Sequence, residues 1–144
     1  MNTVENTIET PLDLSPFMAL FDEAKALILA GEPVAAIRRL ARPLNALVDP
    51  LRDDADAFAQ LIRTARDHDV FNLLQQDPNT RRAFDKPRGY AGDAVMLDYY
   101  YTGVPPSETS ALGRGLFATT TRSPMGLSVA HRKALLRAYI DDVI

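Results

Sequence analysis

Residues 15–31, SPFMALFDEAKALILAG, form the stretch of this chain that decides its fold class. The large apolar residues in this stretch recur every three or four positions, which places them on one face of an amphipathic helix. Ser15-Pro16 is typical of a helix start, and Gly31 is typical of a helix end. The predicted inner face consists of Phe17, Leu20, Phe21, Ala24, Leu27 and Ile28.

Helical signals of the same kind continue to the end of the chain. Pro33 opens a second helix, and Pro43 is expected to end or kink it. Asp53 or Asp54 caps a third helix. After residue 77 the predicted helices become short, and Ser123 precedes the last one. The apolar stripe of this last helix contains Leu127, Ala130, Ala134, Leu135, Ala138 and Tyr139.

Strand signals are missing from the sequence, since no segment alternates between apolar and polar residues with a period of two. The sequence therefore predicts an all-α protein, an irregular multi-helix bundle of about six to eight helices with no β-sheet. We expect residues 1–14 to be a flexible tail and residues 15–144 to form one helical domain. Within that domain, residues 15–76 are expected to be scaffold helices. Residues 77–144 are expected to be a loop-rich half that binds a ligand or docks on a partner.

The composition excludes several classes of function. The chain has 144 residues and no cysteine, which excludes a disulfide scaffold, an iron–sulfur cluster and a thiol nucleophile. No apolar run is long enough to span a membrane. The acidic first residues lack the apolar core of a secretion signal, so we expect a cytoplasmic protein.

Charge is distributed unevenly along the chain. Residues 1–77 carry 7 basic and 13 acidic side chains, whereas residues 78–144 carry 9 basic and 6 acidic ones. Neither half has the basic excess that nucleic-acid binding usually requires, so a nucleic acid is not an expected partner. The second half also contains six of the seven glycines and all five tyrosines, which favours a binding surface there.

The most unusual cluster of residues lies in segment 81–101, RRAFDKPRGYAGDAVMLDYYY. Arginine binds a carboxylate or phosphate through two N–H groups, and glycine lets the backbone approach a ligand closely. The segment is therefore interpreted as a loop that binds an anion or another small ligand. The candidate binding residues are Arg81, Arg82, Lys86, Arg88, Gly89, Tyr90, Gly92, Asp93 and Tyr99.

A purely structural role for the same segment stays open. Pro87 and the glycines would then shape a turn. Arg88 would pair with a nearby aspartate, and Tyr90 would pack on the core with its hydroxyl bonded. The glycine spacing matches neither a phosphate-binding P-loop nor a dinucleotide-binding fingerprint, which a strand would precede.

Other chemistry-bearing residues give weaker signals. His68 lies between two aspartates and could be a fragment of a metal site, but a solvated helix end is the favoured interpretation. The aspartates at positions 53, 54 and 56 lack the glycine spacing of a calcium loop, and a helix start explains them. We expect no metal ligand and no catalytic residue.

Residues 69–101 resemble the region upstream of the catalytic domain in certain bacterial class I S-adenosylmethionine-dependent methyltransferases. The string KPRGYAGDAVMLDY, residues 86–99, carries most of the resemblance. The segments SALGRGLF, residues 110–117, and HRKALLRAYIDDVI, residues 131–144, are similar in kind. Some members of this family are associated with biosynthesis of a 3-hydroxypalmitic acid methyl ester signal. Tyr100 departs from the pattern, which has an aliphatic residue at that position.

The resemblance implies that this chain is the N-terminal helical domain of such an enzyme and is not catalytic alone, because the sequence has no Rossmann-like SAM-binding domain. In the intact enzyme the domain would cap the active site, with Arg88, Tyr90 and Asp93 reaching the methyl donor or acceptor. The implied cofactor, S-adenosylmethionine, would be bound by the full-length enzyme. The implied partner is a C-terminal Rossmann-like domain in cis, and the implied substrate is a small acidic or acyl molecule.

Non-enzymatic alternatives stay open. The chain could be a stand-alone helical module that binds a protein, a second copy in a homo-oligomer, or a small ligand. A cap domain is expected to leave an apolar face uncovered at Ile140, Val143 and Ile144, where the catalytic domain would sit. A stand-alone module is expected to bury that face, alone or as a dimer. A ligand sensor would need an enclosed apolar pocket next to Arg88.

Overall fold

The computed structural model describes residues 12–143, and this part of the chain contains eight α-helices and no strand. The prediction of an all-α bundle is therefore confirmed. Residues 1–11 of the expected N-terminal tail and Ile144 lie outside the described residues. The helices are α1 (Ser15–Leu29), α2 (Pro33–Val48), α3 (Ala55–Asp67), α4 (Asp69–Leu74), α5 (Pro78–Asp85), α6 (Ala94–Thr102), α7 (Ala111–Thr121) and α8 (Pro124–Val143), with a 3₁₀ turn at Asp49–Leu51.

A polar side chain caps the N-terminus of most helices after α2. Asp54 accepts a hydrogen bond from the Ala57 amide at the start of α3, and Ser110 accepts one from the Gly113 amide in α7. Each cap satisfies a backbone donor that the first helical turn leaves without a partner. Gly103 ends α6 with a φ of 63°, a left-handed conformation that glycine adopts without strain.

One of the two outcomes predicted for Pro43, that it ends its helix, is wrong. Helix α2 continues through Pro43 to Val48. Proline removes one backbone hydrogen bond from a helix interior. The apolar face of α2 packs against α1 and the core on both sides of Pro43, through Leu40 before it and Leu44 after it. This packing keeps the segment helical despite the lost bond.

The hydrophobic core lies among α1, α2, α3, α4 and α7. The apolar face predicted for α1 is buried nearly as expected, and Leu61, Val70 and Leu116 extend the core into α3, α4 and α7. On α2 the buried residues are Ala36 and Leu40, whereas Val34 is exposed. Residue 36 is an alanine with no exposed surface, so α2 packs closely against the rest of the core at that point.

The second half of the chain is assembled around buried polar groups. The Asp77 carboxylate, 1% exposed, caps α5 and also accepts a hydrogen bond of 3.0 Å from the Thr120 hydroxyl of α7. The Asn79 side chain donates to the Tyr100 hydroxyl at 3.0 Å, which connects α5 to α6. These directional bonds fix how three short helices sit together where few large apolar side chains are available.

Helix α8 is exposed over most of its length. Of the described residues of α8, Gly126 alone is buried, and every residue from His131 to Val143 is exposed. A Cβ atom at Gly126 would come within 3.1 Å of the Tyr100 ring, so the helix approaches α6 closely at this end. The rest of α8 extends beyond the elements that it packs against.

Candidate functional site

The centre of the predicted site is an ion pair between α5 and the start of α6. Arg82 Nε lies 2.8 Å from Asp93 Oδ1, and Arg82 Nη2 lies 2.5 Å from Asp93 Oδ2. The guanidinium thus binds the carboxylate through two N–H groups, the geometry that suits arginine best. Asp93 is 1% exposed and also accepts a hydrogen bond of 3.1 Å from the Met96 amide, which caps α6.

This environment favours the charged form of the Asp93 carboxyl. Its pKa is lowered to about 2, chiefly by the hydrogen bonds from Arg82, and burial opposes the shift. The Asp93 carboxylate already occupies the N-terminus of α6. An external anion therefore cannot bind at that helix end, and Asp93 serves as a structural anchor beneath the loop.

The loop between α5 and α6 bends sharply at three positions. Lys86, Gly89 and Gly92 have φ angles of 47°, 84° and 90°. A lysine at positive φ is uncommon, whereas glycine adopts this region readily, so the two glycines shape the turn as the structural interpretation predicted. The Gly89 amide donates to the Lys86 carbonyl at 2.7 Å, which closes the turn.

The side chains at the tip of the loop point into solvent. Arg88 is about half exposed, and its Nε lies 3.8 Å from Asp93 Oδ2, so the prediction that it pairs with an aspartate is confirmed. Tyr90 is 55% exposed, so the prediction that it packs on the core is wrong. Its exposure follows from the turn, which carries residues 88–91 away from the helices. Arg88 and Tyr90 are therefore accessible, while Asp93 is not.

A cleft of about 640 Å³ lies beside this loop, between α5 and the connector that precedes α7. Arg81, Arg82 and Tyr99 line it, so the structure brings these three predicted residues together around one space. The other predicted residues of the loop do not line the cleft: Lys86, Arg88, Gly89, Tyr90 and Gly92. Sequence reasoning missed the remaining walls, because they come from distant segments. They include Asn72, Gln75, Gln76, Glu108, Thr109 and Ser110.

The charges that face the cleft nearly balance. Arg82 is neutralised by Asp93, and Arg81 Nε lies 3.4 Å from the Asp85 carboxylate one helical turn away. Ser110 donates a hydrogen bond of 2.8 Å to the Gln76 side-chain oxygen across the wall. The cleft therefore offers amide, hydroxyl and guanidinium groups together, which suits a polar molecule of low net charge.

A second cavity, of about 280 Å³, has an entirely apolar lining and lies among α1, α2, α3 and α4. Leu44, Val48, Phe58, Ile62 and Phe71 form much of its wall. Arg88 lies outside its lining, so this cavity is not the pocket that a sensor using the arginine loop would need. The helical stripes of α2 and α3 could have indicated an apolar seam here, but periodicity carries no information about gaps in packing.

His68 is not at a solvated helix end, because its side chain is buried. Nδ1 accepts a hydrogen bond of 3.1 Å from the Val70 amide and so caps α4, while Nε2 lies 3.1 Å from Asp22 Oδ1. Since Nδ1 accepts, the ring proton belongs on Nε2, which donates to the aspartate. The ring also packs against Phe21 with centroids 5.5 Å apart. The residue stabilises the junction of α3 and α4.

Comparisons with known proteins identify no relative of this chain. No protein-family model, no curated protein and no solved structure matches the chain. Within residues 12–143, none of the helices combines the length and the apolar character that a membrane span requires.

Proposed function

We propose that this chain is the helical cap, or substrate-recognition domain, of an S-adenosylmethionine-dependent methyltransferase. The resemblance of residues 69–101 to the region before the catalytic domain of such enzymes is the origin of the proposal. In this role the domain would lie over the active site of a Rossmann-like domain, exclude water and orient the methyl acceptor.

One observation carries the proposal. The loop between α5 and α6 is exposed, and the Arg82–Asp93 ion pair beneath it holds it in place. Residues 86–99, where the resemblance is strongest, include the Asp93 anchor and the exposed Arg88 and Tyr90. A cap needs side chains that reach out of the domain without losing their position when a ligand binds. The Arg82–Asp93 pair supplies the fixed base, and the turn at Gly89 presents the side chains.

The methyl donor does not fit on the described residues alone. Class I enzymes bind it along a parallel sheet, and residues 12–143 contain no strand. The Met96 amide at the start of α6 also donates to the Asp93 carboxylate. The described residues would therefore contribute only the loop side chains, and a separate catalytic domain would hold the donor.

The exposed end of α8 is compatible with more than one arrangement. Ile140 and Val143 are uncovered in the single chain, as the cap hypothesis requires. A dimer of a stand-alone module would leave the same residues exposed in one copy. This exposed face therefore favours a partner that covers it, but it does not distinguish a cap domain from a stand-alone module that forms a dimer.

The test starts from the native gene product in its source cell. We expect an intact mass well above 15.9 kDa and binding of S-adenosylmethionine by that protein. Arg88→Ala in the same protein should weaken donor binding or raise the KM for the acceptor about tenfold, the effect of losing one charge-assisted hydrogen bond. Arg63→Ala, at an exposed arginine on α3, is the matched control and should change neither. A native mass near 15.9 kDa without donor binding would refute the proposal.

The alternative function is a stand-alone module that binds a small ligand, and the cleft beside Arg81 favours it. Its volume of about 640 Å³ falls within the range of small-molecule sites. Glutamine and glucose, two polar molecules without net charge, can be titrated as probes while the amide signals of α5 and the 103–110 connector are followed by NMR. Saturable shifts that Arg81→Ala abolishes would support the module. Shifts confined to the loop around Arg88 would instead support the cap.

A further inference from the structure

The apolar cavity among α1, α2, α3 and α4 is open to solvent on one side. Ile62 of α3 is 36% exposed, and Leu44 and Val48 of α2 are partly exposed, although all three line the cavity. The lining residues Leu61 and Val70 are buried. The cavity therefore has a buried apolar floor and an entrance between α2 and α3.

The arrangement of the helices leaves this space unfilled. Helix α2 packs on α1 and α7, whereas α3 packs on α4 and on the 3₁₀ turn at Asp49–Leu51. At Ala65, α3 contributes only a methyl group to the wall. Protein interiors contain few voids larger than a water molecule, so a space of about 280 Å³ is unusual. The contacts missing from it would stabilise the fold if a ligand supplied them.

The lining determines which chemistry fits the space. It is entirely apolar, so a water molecule inside would find no hydrogen-bond partner on the wall. An apolar cavity of about 150 Å³ stays dry and takes up benzene, which scales to roughly ten carbon atoms in the larger volume here. We propose that this cavity is a binding site for a small uncharged hydrocarbon of roughly that size, or for a hydrocarbon group of that size on a larger molecule.

The surface around the entrance favours a small molecule over a protein partner. Within the described residues, Ile62 is the one exposed large apolar side chain of α3, and α2 exposes none after Pro43. Asn45, Arg63 and Arg66, each next in sequence to a lining residue, are exposed. Protein interfaces have apolar centres that are depleted in charge and bury about 800 Å² on each partner. Here the apolar surface lies inside the cavity, where a small molecule reaches it and a protein surface does not.

This site is independent of the proposed function. Phe71 and Leu74 line the cavity, whereas Asn72 and Gln75 line the cleft on a different face of α4. Arg88 lines neither space. A hydrocarbon in the cavity would leave the loop and the cleft free, so this proposal can fail while the cap proposal stands, and the reverse also holds.

Titration of the full chain with naphthalene, an uncharged hydrocarbon of the required size, tests the site. We expect saturable NMR shifts of the methyl groups of Leu44, Val48 and Ile62, and a higher Tm because the ligand binds the folded state. The naphthalene diol with one hydroxyl at each end should bind at least about tenfold more weakly, because one hydroxyl would be buried without a hydrogen-bond partner. Absence of saturable shifts at these methyl groups, or shifts confined to residues 135–143 of α8, would overturn the proposal.

Filling the cavity provides the matched variants. Ala65→Leu should weaken naphthalene binding at least about tenfold while the chain stays folded, because the new side chain occupies the space that the ligand needs. Ala35→Leu is the control, at a half-buried alanine of α2 outside the lining, and should bind naphthalene as the wild type does. Ile62→Gln, at a partly exposed position that tolerates a polar side chain, should also weaken binding by placing an amide at the entrance. Unchanged naphthalene binding by folded Ala65→Leu or by Ile62→Gln would overturn the proposal.

Discussion

A methyl group added at Gly113 should destabilise the protein, whereas the same change two residues later should stabilise it. Both glycines lie in α7, but their surroundings differ. A Cβ atom at Gly113 would lie 2.3 Å from the Gln76 carbonyl oxygen and 2.9 Å from Thr109 Cγ2. At Gly115 the nearest atom, Pro33 Cγ, lies 3.5 Å away, an ordinary van der Waals contact.

The gain in free energy from a less flexible unfolded chain can be compared with the cost of the steric clash. Replacing a helical glycine by alanine gains up to about 1 kcal/mol, because alanine loses less backbone entropy on folding. At Gly113 the backbone of residue 76 would have to move, and overpacking of this kind costs about 1–3 kcal/mol or more. We therefore expect Gly113→Ala to lower the free energy of unfolding by up to about 2 kcal/mol. Gly115→Ala should raise it by up to about 1 kcal/mol.

Urea and thermal denaturation followed by circular dichroism measure both variants. For a chain of this length, each kcal/mol corresponds to a change in Tm of about 4 °C. The two melting temperatures should therefore lie on opposite sides of the wild-type value. If Gly113→Ala proved as stable as Gly115→Ala, α7 would not pack on the turn between α4 and α5 as closely as the structure describes.

Three further predictions concern acid stability, the buried histidine and the start of α8. Because the folded-state pKa of Asp93 is lowered from 3.8 to about 2, its ionised form stabilises the fold above about 3.8, and this contribution should disappear as the pH falls toward about 2. The stability difference between wild type and Asp93→Asn should shrink over that interval, and a constant difference would contradict the Arg82–Asp93 pairing. His68→Ala should cost about 1–2 kcal/mol through loss of the α4 cap, and His68→Asn should recover part of that loss in urea titrations, whereas equal losses would argue against capping. Gly126→Ala should lower Tm, because its Cβ would come within 2.1 Å of the Thr121 carbonyl oxygen, and an unchanged Tm would exclude that close approach.

Helix ends were the most predictable part of the fold. The signals at Gly31, Pro33 and Asp54 depend on hydrogen bonds and backbone angles within a few residues of each other. All the residues that produce such a signal lie close together in the sequence. Each of these residues therefore lies at or next to the end of a helix, as predicted. The same locality explains why residues 86–93 could be identified as a turn.

The relations between distant segments could not be predicted. The apolar pattern of α8 resembles that of α1, yet α1 is the buried centre of the core and most of α8 is exposed. Periodicity specifies that a face is apolar but not which element covers it. His68 was misassigned for the same reason, since its partner Asp22 lies 46 residues away. The cleft likewise combines α4, α5, α6 and the connector before α7.

The two buried carboxylates explain how a loop-rich half of the chain can present accessible side chains from a fixed position. Asp77 and Asp93 each cap a helix and also bind a second element, Thr120 of α7 in one case and Arg82 of α5 in the other. Removing either carboxylate would leave donors without partners, so substitutions at this base should cost stability first. Substitutions of Arg88, half exposed above the base, should change binding without unfolding the domain. Measuring stability and binding on the same variants therefore separates the residues that support the loop from those that can act through it.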